Sequence, residues 1–224
     1  HEAIALVDEL RAGGEVVVEE RLELRGEVAH LVARAVDGSL VDYPVVATLQ
    51  RDGMCVEVRY PSGLNADTLE RAHVLSDDVA ALVRGVGILA IEYFVTDDGL
   101  VVNEVALRPH NTGHWTIEGA TTSQFVQHLR AVSGQSLAPV APRSADVVMV
   151  NLVGGARPAS LQAAEAVEGV AVHDYGKAWR PGRKLGHVTA LGDEPEGPHV
   201  RAWESARAYG TSTREADPPS EGES

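Results

Sequence analysis

The chain has 224 residues, 44% of them hydrophobic, enough to bury a sizeable core in one large domain or two small ones and too apolar for a disordered protein. Its 33 acidic residues outnumber 19 Lys and Arg for a formal net charge of −14, so its field repels nucleic acid and anionic membranes and favours a small-molecule partner. Cys55 is the one cysteine, which excludes an intrachain disulfide and a thiolate-rich metal site; no apolar run reaches the roughly 18 residues of a membrane helix, and a reducing cytoplasm is the expected compartment.

Residue one enters directly into HEAIALVDEL, an amphipathic pattern with no leader, so further sequence upstream is expected. The pattern predicts a short helix over 3–12, closed by Gly13 and Gly14, and EVVVEE after it predicts a strand. Extended runs over 28–36 and 40–46 flank Asp37-Gly38, a hairpin signal, and Asp52-Gly53 precedes another strand over 54–60. Together these read as antiparallel sheet. Asn65 then caps a helix whose apolar positions Leu69, Val74, Val79, Leu82 and Val83 recur at helical spacing, ended by Gly85 and Gly87. VGILAIEYFV and LVVNEVAL follow as two apolar strands joined by Asp97-Asp98-Gly99. After the polar loop RPHNTGHWTIEGA, Thr121 or Thr122 caps a helix running to about Val132. Pro139 and Pro142 mark the boundary to a smaller carboxyl-terminal module, read as strand 147–153, helix 160–167, strands 170–174 and 184–191, and helix 199–209. The tail TSTREADPPSEGES has little to bury and is expected to be disordered. The fold class is α+β, with mostly antiparallel sheet plus a small α/β module.

The chemistry concentrates in two carboxylates, Glu92 and Glu104, set in strands that otherwise hold almost nothing polar. Burying an ionised carboxylate without a partner costs several kcal/mol. A three-residue loop with Gly99 in the left-handed position would pair Thr96 with Leu100 and place Glu92 opposite Glu104, about 5 Å apart on one face. Two like charges so close make sense with a cation between them, and hard oxygen ligands suit magnesium. The competing reading is a solvated ribbon, against which the apolar flanking residues argue. By strand alternation Asn103 points to the other face unless the strand bends there.

The loop that follows supplies complementary groups. Arg108 offers a fixed fork of donors for an oxyanion, and His110 can donate a hydrogen bond or handle a proton, with Asn111 and His114 close by in sequence. A zinc ion on His110 and His114 is the alternative, opposed by Pro109, Asn111 and Gly113, which break a helix presenting both. Trp115 is expected in the core or as a pocket wall. A second basic cluster, YGKAWRPGRKLGH, gathers Lys177, Arg180, Arg183 and Lys184 beside Gly182 and Gly186. It suits a phosphate ester and equally a solvated hairpin.

The strings VVVEERLELRGE, ILAIEYFVTDDGLVVNEVALRPHNTGHWTIEGATTSQFVQHLRAV and YGKAWRPGRKLGH resemble segments of 5-(carboxyamino)imidazole ribonucleotide synthase, an ATP-grasp ligase of purine biosynthesis. The likeness spans about Val16 to His187. RPHNTGHW followed by TSQF and HLRA is particular to that enzyme, whereas an Asn-Glu pair after an apolar strand is shared across the superfamily. The resemblance implies an ATP-grasp fold divided into the remainder of a lid with its hinge strand (1–48), a catalytic core (49–138), the small module (139–210) and the tail (211–224). It implies carboxylation of 5-aminoimidazole ribonucleotide by bicarbonate through carboxyphosphate, with ATP as co-substrate and Mg2+ or Mn2+ as cofactor. A homodimer is compatible with it.

Carried over by position, Glu19, Glu20, Arg21 and Leu22 resemble the adenine-binding hinge, and Glu27 the carboxylate that takes the ribose hydroxyls. Gln50 stands at a nucleotide-site position where many relatives carry a His. Glu92 and Glu104 resemble the metal ligands, with Asn103 and Glu104 lining the nucleotide. Arg108 and His110 would hold bicarbonate or carboxyphosphate, and Lys177, Arg183 and Lys184 the 5′-phosphate. The family's first domain and its glycine-rich phosphate loop would precede residue one, and nothing in the chain replaces them, so the chain alone is expected to be nearly inactive. The alternatives are a remnant that only binds nucleotide, or a different ATP-grasp carboxylase or formate-using ligase.

Overall fold

A computed structural model describes residues 14–156, 158–194 and 196–211. The helix expected over 3–12 and the tail after Thr211 lie outside the described residues. The chain runs β1 (Gly26–Arg34), β2 (Leu40–Asp42), β3 (Val46–Arg51), β4 (Met54–Tyr60), α1 (Ala66–Val83), β5 (Gly87–Thr96), β6 (Gly99–Ala106), α2 (Thr116–Gly119), α3 (Gln124–Val132), β7 (Asp146–Val153), α4 (Leu161–Glu165), β8 (Val170–Asp174), β9 (Lys184–Gly192) and α5 (Gly197–Tyr209). The nine strands form a single sheet in the order β6-β5-β1-β3-β4-β7-β9-β8, with β2 paired to β1 off that path, and each pairing is antiparallel.

Period-two alternation sorts the side chains onto two faces. Ala29, Leu31, Val46, Val58, Ala90 and Met149 turn to one face, where the loop after β6 and α3 cover them, with Trp115 buried among them against Tyr60. Val28, Val32, Leu89, Ile91, Val148 and Val188 turn to the other, beneath α1 at one end of the sheet and α4 and α5 at the other. A fully buried Ile or Leu in such a face contributes about 1.5–3 kcal/mol. The segment after Pro142 carries this sheet onward, since β7 pairs with β4 from Tyr60↔Val147 to Glu57↔Val150.

Several boundaries differ from expectation for local reasons. EVVVEE forms no strand: residues 15–24 pair with no strand among the described residues, and Val17 and Val18 are 82% and 74% exposed. The expected strand over 40–46 is broken between β2 and β3. Asn65 caps α1 as expected, accepting from the Thr68 N–H at 2.9 Å. The cap of α3 is Ser123, whose Oγ accepts from the Val126 N–H, while the hydroxyls of Thr121 and Thr122 donate to the Pro139 carbonyl. Gly87 opens β5 at φ +115, and a Cβ there would meet His128 Nδ1 at 2.5 Å, the atom that accepts the Ile88 N–H. Only glycine satisfies both conditions.

Candidate active site

The carboxylate pair sits in the β5–β6 hairpin, and its register corrects the expected one. Thr96 pairs with Gly99, so the turn holds two residues, Asp97 and Asp98, and not three. That register alone would misalign the glutamates by one residue. A bulge restores them: Tyr93 pairs with Val102, Glu92 with Glu104, and Asn103 is the extra residue. The bend that was the condition for Asn103 to leave simple alternation is therefore present.

The two carboxylates differ in environment. Glu92 lies inside the sheet and is 9% exposed, whereas the Glu104 side chain is 53% accessible because β6 is an edge strand. Val101 and Val102 on β6 are also 40% and 41% exposed, so the apolar enclosure expected around both glutamates holds for β5 alone. Burial pushes the Glu92 carboxyl up to about 7, helped by the charges of Glu104 and Glu27. Glu27 falls on the same face of β1, two residues before Ala29, the partner of Glu92, and burial raises its pKa as well.

His110 bridges the pair, with Nδ1 3.4 Å from Glu92 Oε1 and Nε2 3.8 Å from Glu104 Oε1. Nδ1 also lies 2.9 Å from Thr112 Oγ1. Burial holds this imidazole below its ordinary pKa even though Glu104 draws it upward. Among the described residues no Lys or Arg comes within 4.0 Å of either glutamate. Glu92 and Glu104 facing each other across the hairpin, with Glu27 on the same sheet face and the His110 imidazole held below its ordinary pKa, offer hard donors of the kind a divalent cation takes.

The loop holding His110 is clamped from below by Gln124. Its Oε1 accepts from the His110 N–H at 2.9 Å, and its Nε2 donates to the His110 carbonyl at 2.7 Å and to His114 Nδ1 at 2.9 Å. Thr116 Oγ1 in turn accepts from the Gln124 N–H and donates to the Gly113 carbonyl. Gly113 has no room for a side chain, since a Cβ would stand 2.4 Å from both Gln124 Oε1 and Leu31 Cδ2. Both amide atoms of Asn111 are buried without a hydrogen-bond partner among the described residues.

The predicted basic groups are gathered unevenly. Lys184, half-buried at the start of β9, is close enough for its charge to be felt at Glu92, His110, His114 and His187, and burial lowers its own pKa. Lys177 is exposed, its ammonium 5.0 Å above the Tyr175 ring, and Arg183 donates to the Ala178 carbonyl. Arg108 is exposed and, among the described residues, donates only to its neighbour Pro109. Gln50 shares the sheet face of Cys55, its partner in register. Glu19, Glu20 and Arg21 are exposed and Leu22 half-buried in a segment with no strand, so the hinge strand expected there is absent from the described residues.

Gln124, His187, His173, Glu118 and Tyr175 were not singled out in the sequence. A buried amide in the first turn of a helix leaves no periodic trace, and TSQF carries only the family likeness. His173 Nε2 lies 2.7 Å from Glu118 Oε1, and His187 Nδ1 lies 2.8 Å from the Tyr175 hydroxyl. Glu118, His173 and His187 are close enough to suggest a metal site. The two imidazoles, however, stack at 4.5 Å with planes 18° apart, so their lone pairs lie in separate, nearly parallel planes and do not meet on one ion. They form a hydrogen-bonded wall. A cavity of about 720 Å3 lined by Arg51, Met54, Val56, Gly154 and Trp203 includes none of the predicted site residues.

The sequence pattern of the ATP-grasp domain matches residues 1–125, and that of the phosphoribosylaminoimidazole carboxylase C-terminal domain matches residues 147–197. The N5-carboxyaminoimidazole ribonucleotide synthase of Mycobacterium tuberculosis is 46% identical over 194 residues, covering 83% of this chain and 45% of that protein. The crystal structure of N5-carboxyaminoimidazole ribonucleotide synthetase from Thermus thermophilus superposes with a TM-score of 0.85 at 36% identity, covering 96% of this chain and 59% of the other. The Aspergillus clavatus enzyme in complex with ADP and 5-aminoimidazole ribonucleotide gives a TM-score of 0.78 at 31% identity, over 86% of this chain and 53% of the other. The chain thus spans about half the length of the curated relatives it matches.

Proposed function

Because the chain belongs to the ATP-grasp family, among its N5-carboxyaminoimidazole ribonucleotide synthases, we propose that it supplies the metal-binding and bicarbonate-binding half of an ATP-dependent carboxylation of 5-aminoimidazole ribonucleotide. The observation that carries this reading is Glu92 facing Glu104 across a bulged hairpin with His110 spanning both. Bound magnesium would be held there by Glu92 and Glu104 and would offset the charge of the triphosphate.

In the proposed reaction bicarbonate attacks the γ-phosphate of ATP to give carboxyphosphate and ADP. The amine of the ribonucleotide then takes the carbon and phosphate leaves. The protein has little covalent work to do, so positioning and charge neutralisation dominate. His110 and Arg108 take the bicarbonate-derived group, Glu27, Gln50 and Asn103 the nucleoside side, and Glu19 to Leu22 the adenine. Lys177, Arg183 and Lys184 take the ribonucleotide phosphate. Lys184 has the best support, because its charge reaches the carboxylate cluster. The Aspergillus clavatus relative, solved with ADP and 5-aminoimidazole ribonucleotide, supports the choice of ligands.

The test is ADP release that depends on both bicarbonate and 5-aminoimidazole ribonucleotide, assayed in a polypeptide that carries this chain together with the remaining length of its relatives. Glu104→Ala should abolish turnover while leaving the circular dichroism unchanged. Turnover that survives the substitution overturns the metal assignment.

A further inference from the structure

Gln124 is fully buried at the first position of α3, beneath the loop that carries His110 and His114. Its amide grips the backbone of His110 at both ends, accepting from the N–H and donating to the carbonyl. This pairing decides which end of the amide is nitrogen, because a peptide N–H can only donate and a carbonyl can only accept. The second proton on the same Nε2 meets His114 Nδ1 at 2.9 Å. An amide NH2 cannot accept, so Nδ1 must, and the ring proton of a neutral His114 resides on Nε2. Among the described residues His114 Nε2 makes no hydrogen bond.

We propose that Gln124 is a positioning residue that fixes His114 as the Nε2–H tautomer, so that this N–H donates to an oxyanion bound beside His110. Two further observations agree with the assignment. Burial and the nearby Lys184 charge hold His114 down to about 4, so it is uncharged at neutral pH and has one proton to place. Its ring is also fixed from the sides, 5.5 Å from Phe125 and 5.0 Å from His187 between centroids, so its direction as well as its tautomer is set. A donor that stays neutral adds no charge to balance when the oxyanion arrives or leaves, which suits a group that must bind and then be consumed. The identity of the oxyanion rests on the proposed carboxylation; the tautomer does not.

The experiment is long-range proton–nitrogen correlation NMR on the nitrogen-15-labelled chain. The unmodified protein should show His114 as the Nε2–H form, with Nδ1 at the shift of a bare imidazole nitrogen. Gln124→Glu keeps the acceptor for the His110 N–H and replaces the donor to His114 with an acceptor, so His114 should change to the Nδ1–H form or become doubly protonated. Adding bicarbonate, and in a separate sample inorganic phosphate, should shift the His114 Hε2 resonance and slow its exchange with water. A response to bicarbonate alone identifies the carbonate group as the occupant; a response to phosphate alone identifies a phosphoryl group. An Nδ1–H tautomer in the unmodified protein overturns the proposal whatever Gln124→Glu does to the fold, and silence toward both anions overturns the donor role. Failure of the carboxylation reading would look different, as absent turnover with the tautomer intact.

Discussion

His30 offers the sharpest quantitative test of the packing behind the site. It is 0% exposed on β1, with Nδ1 2.8 Å from Ser76 Oγ on α1, and Ser76 Oγ lies 2.7 Å from the hydroxyl of Tyr93, the neighbour of Glu92. This chain fastens α1 to the back of the strands that carry the carboxylates, while His30 Nε2 is buried with no hydrogen-bond partner among the described residues. Burial, with a contribution from His73, pushes the imidazole down to about 3 from its ordinary 6.5. Because the folded pKa lies below the unfolded one, the unfolded chain takes up the proton first. The associated stability is complete above pH 6.5 and drains as pH falls toward 3. A gap of about 3.5 units corresponds to a ceiling of about 5 kcal/mol, with a slope of about 1.4 kcal/mol per pH unit inside the window. The perturbation is His30→Asn, which keeps a polar group toward Ser76 and cannot titrate. Urea unfolding of both proteins from about pH 7.5 to about pH 4.5 isolates the term, because carboxylate titrations common to both cancel in the difference. The parent should lose about 2–3 kcal/mol more than the variant over that range. Parallel stability profiles would refute the reasoning.

Other outcomes follow from single contacts. Gly113→Ala forces a methyl against Gln124 Oε1 and Leu31, so thermal unfolding should show a loss of about 1–3 kcal/mol, and the His114 tautomer should become mixed. Asn65→Ala removes the α1 cap and should cost about 1 kcal/mol by urea titration, with Asn65→Asp losing much less. In the longer polypeptide, Lys177→Ala should raise the KM for the ribonucleotide several-fold with kcat nearly unchanged, and an unchanged KM removes Lys177 from the phosphate site.

The elements were legible where local chemistry and packing agreed. Asn65 before a periodic apolar run announced α1, and Asp52-Gly53 announced the turn between β3 and β4. EVVVEE failed because strand propensity is not a strand: six extended residues need a neighbour to take their hydrogen bonds, and none is present among the described residues. The glutamate pairing came out right by two departures that offset each other, a shorter turn and a bulge at Asn103, and neither leaves a mark in hydrophobic pattern. The exposure of Glu104 was hidden for a similar reason, since apolar residues on an edge strand read the same as those in the middle of a sheet. Gln124 could not be read at all from spacing, because its role is set by which backbone lies above it in the folded chain.

Titration with Mn2+, followed by electron paramagnetic resonance, addresses the carboxylate pair without requiring turnover. The chain should take up the ion at one site that Glu92→Gln and Glu104→Gln each abolish, with folding retained in both. If both variants bind Mn2+ as tightly as the parent, the paired glutamates do not form the metal site and the proposed catalytic centre must lie elsewhere.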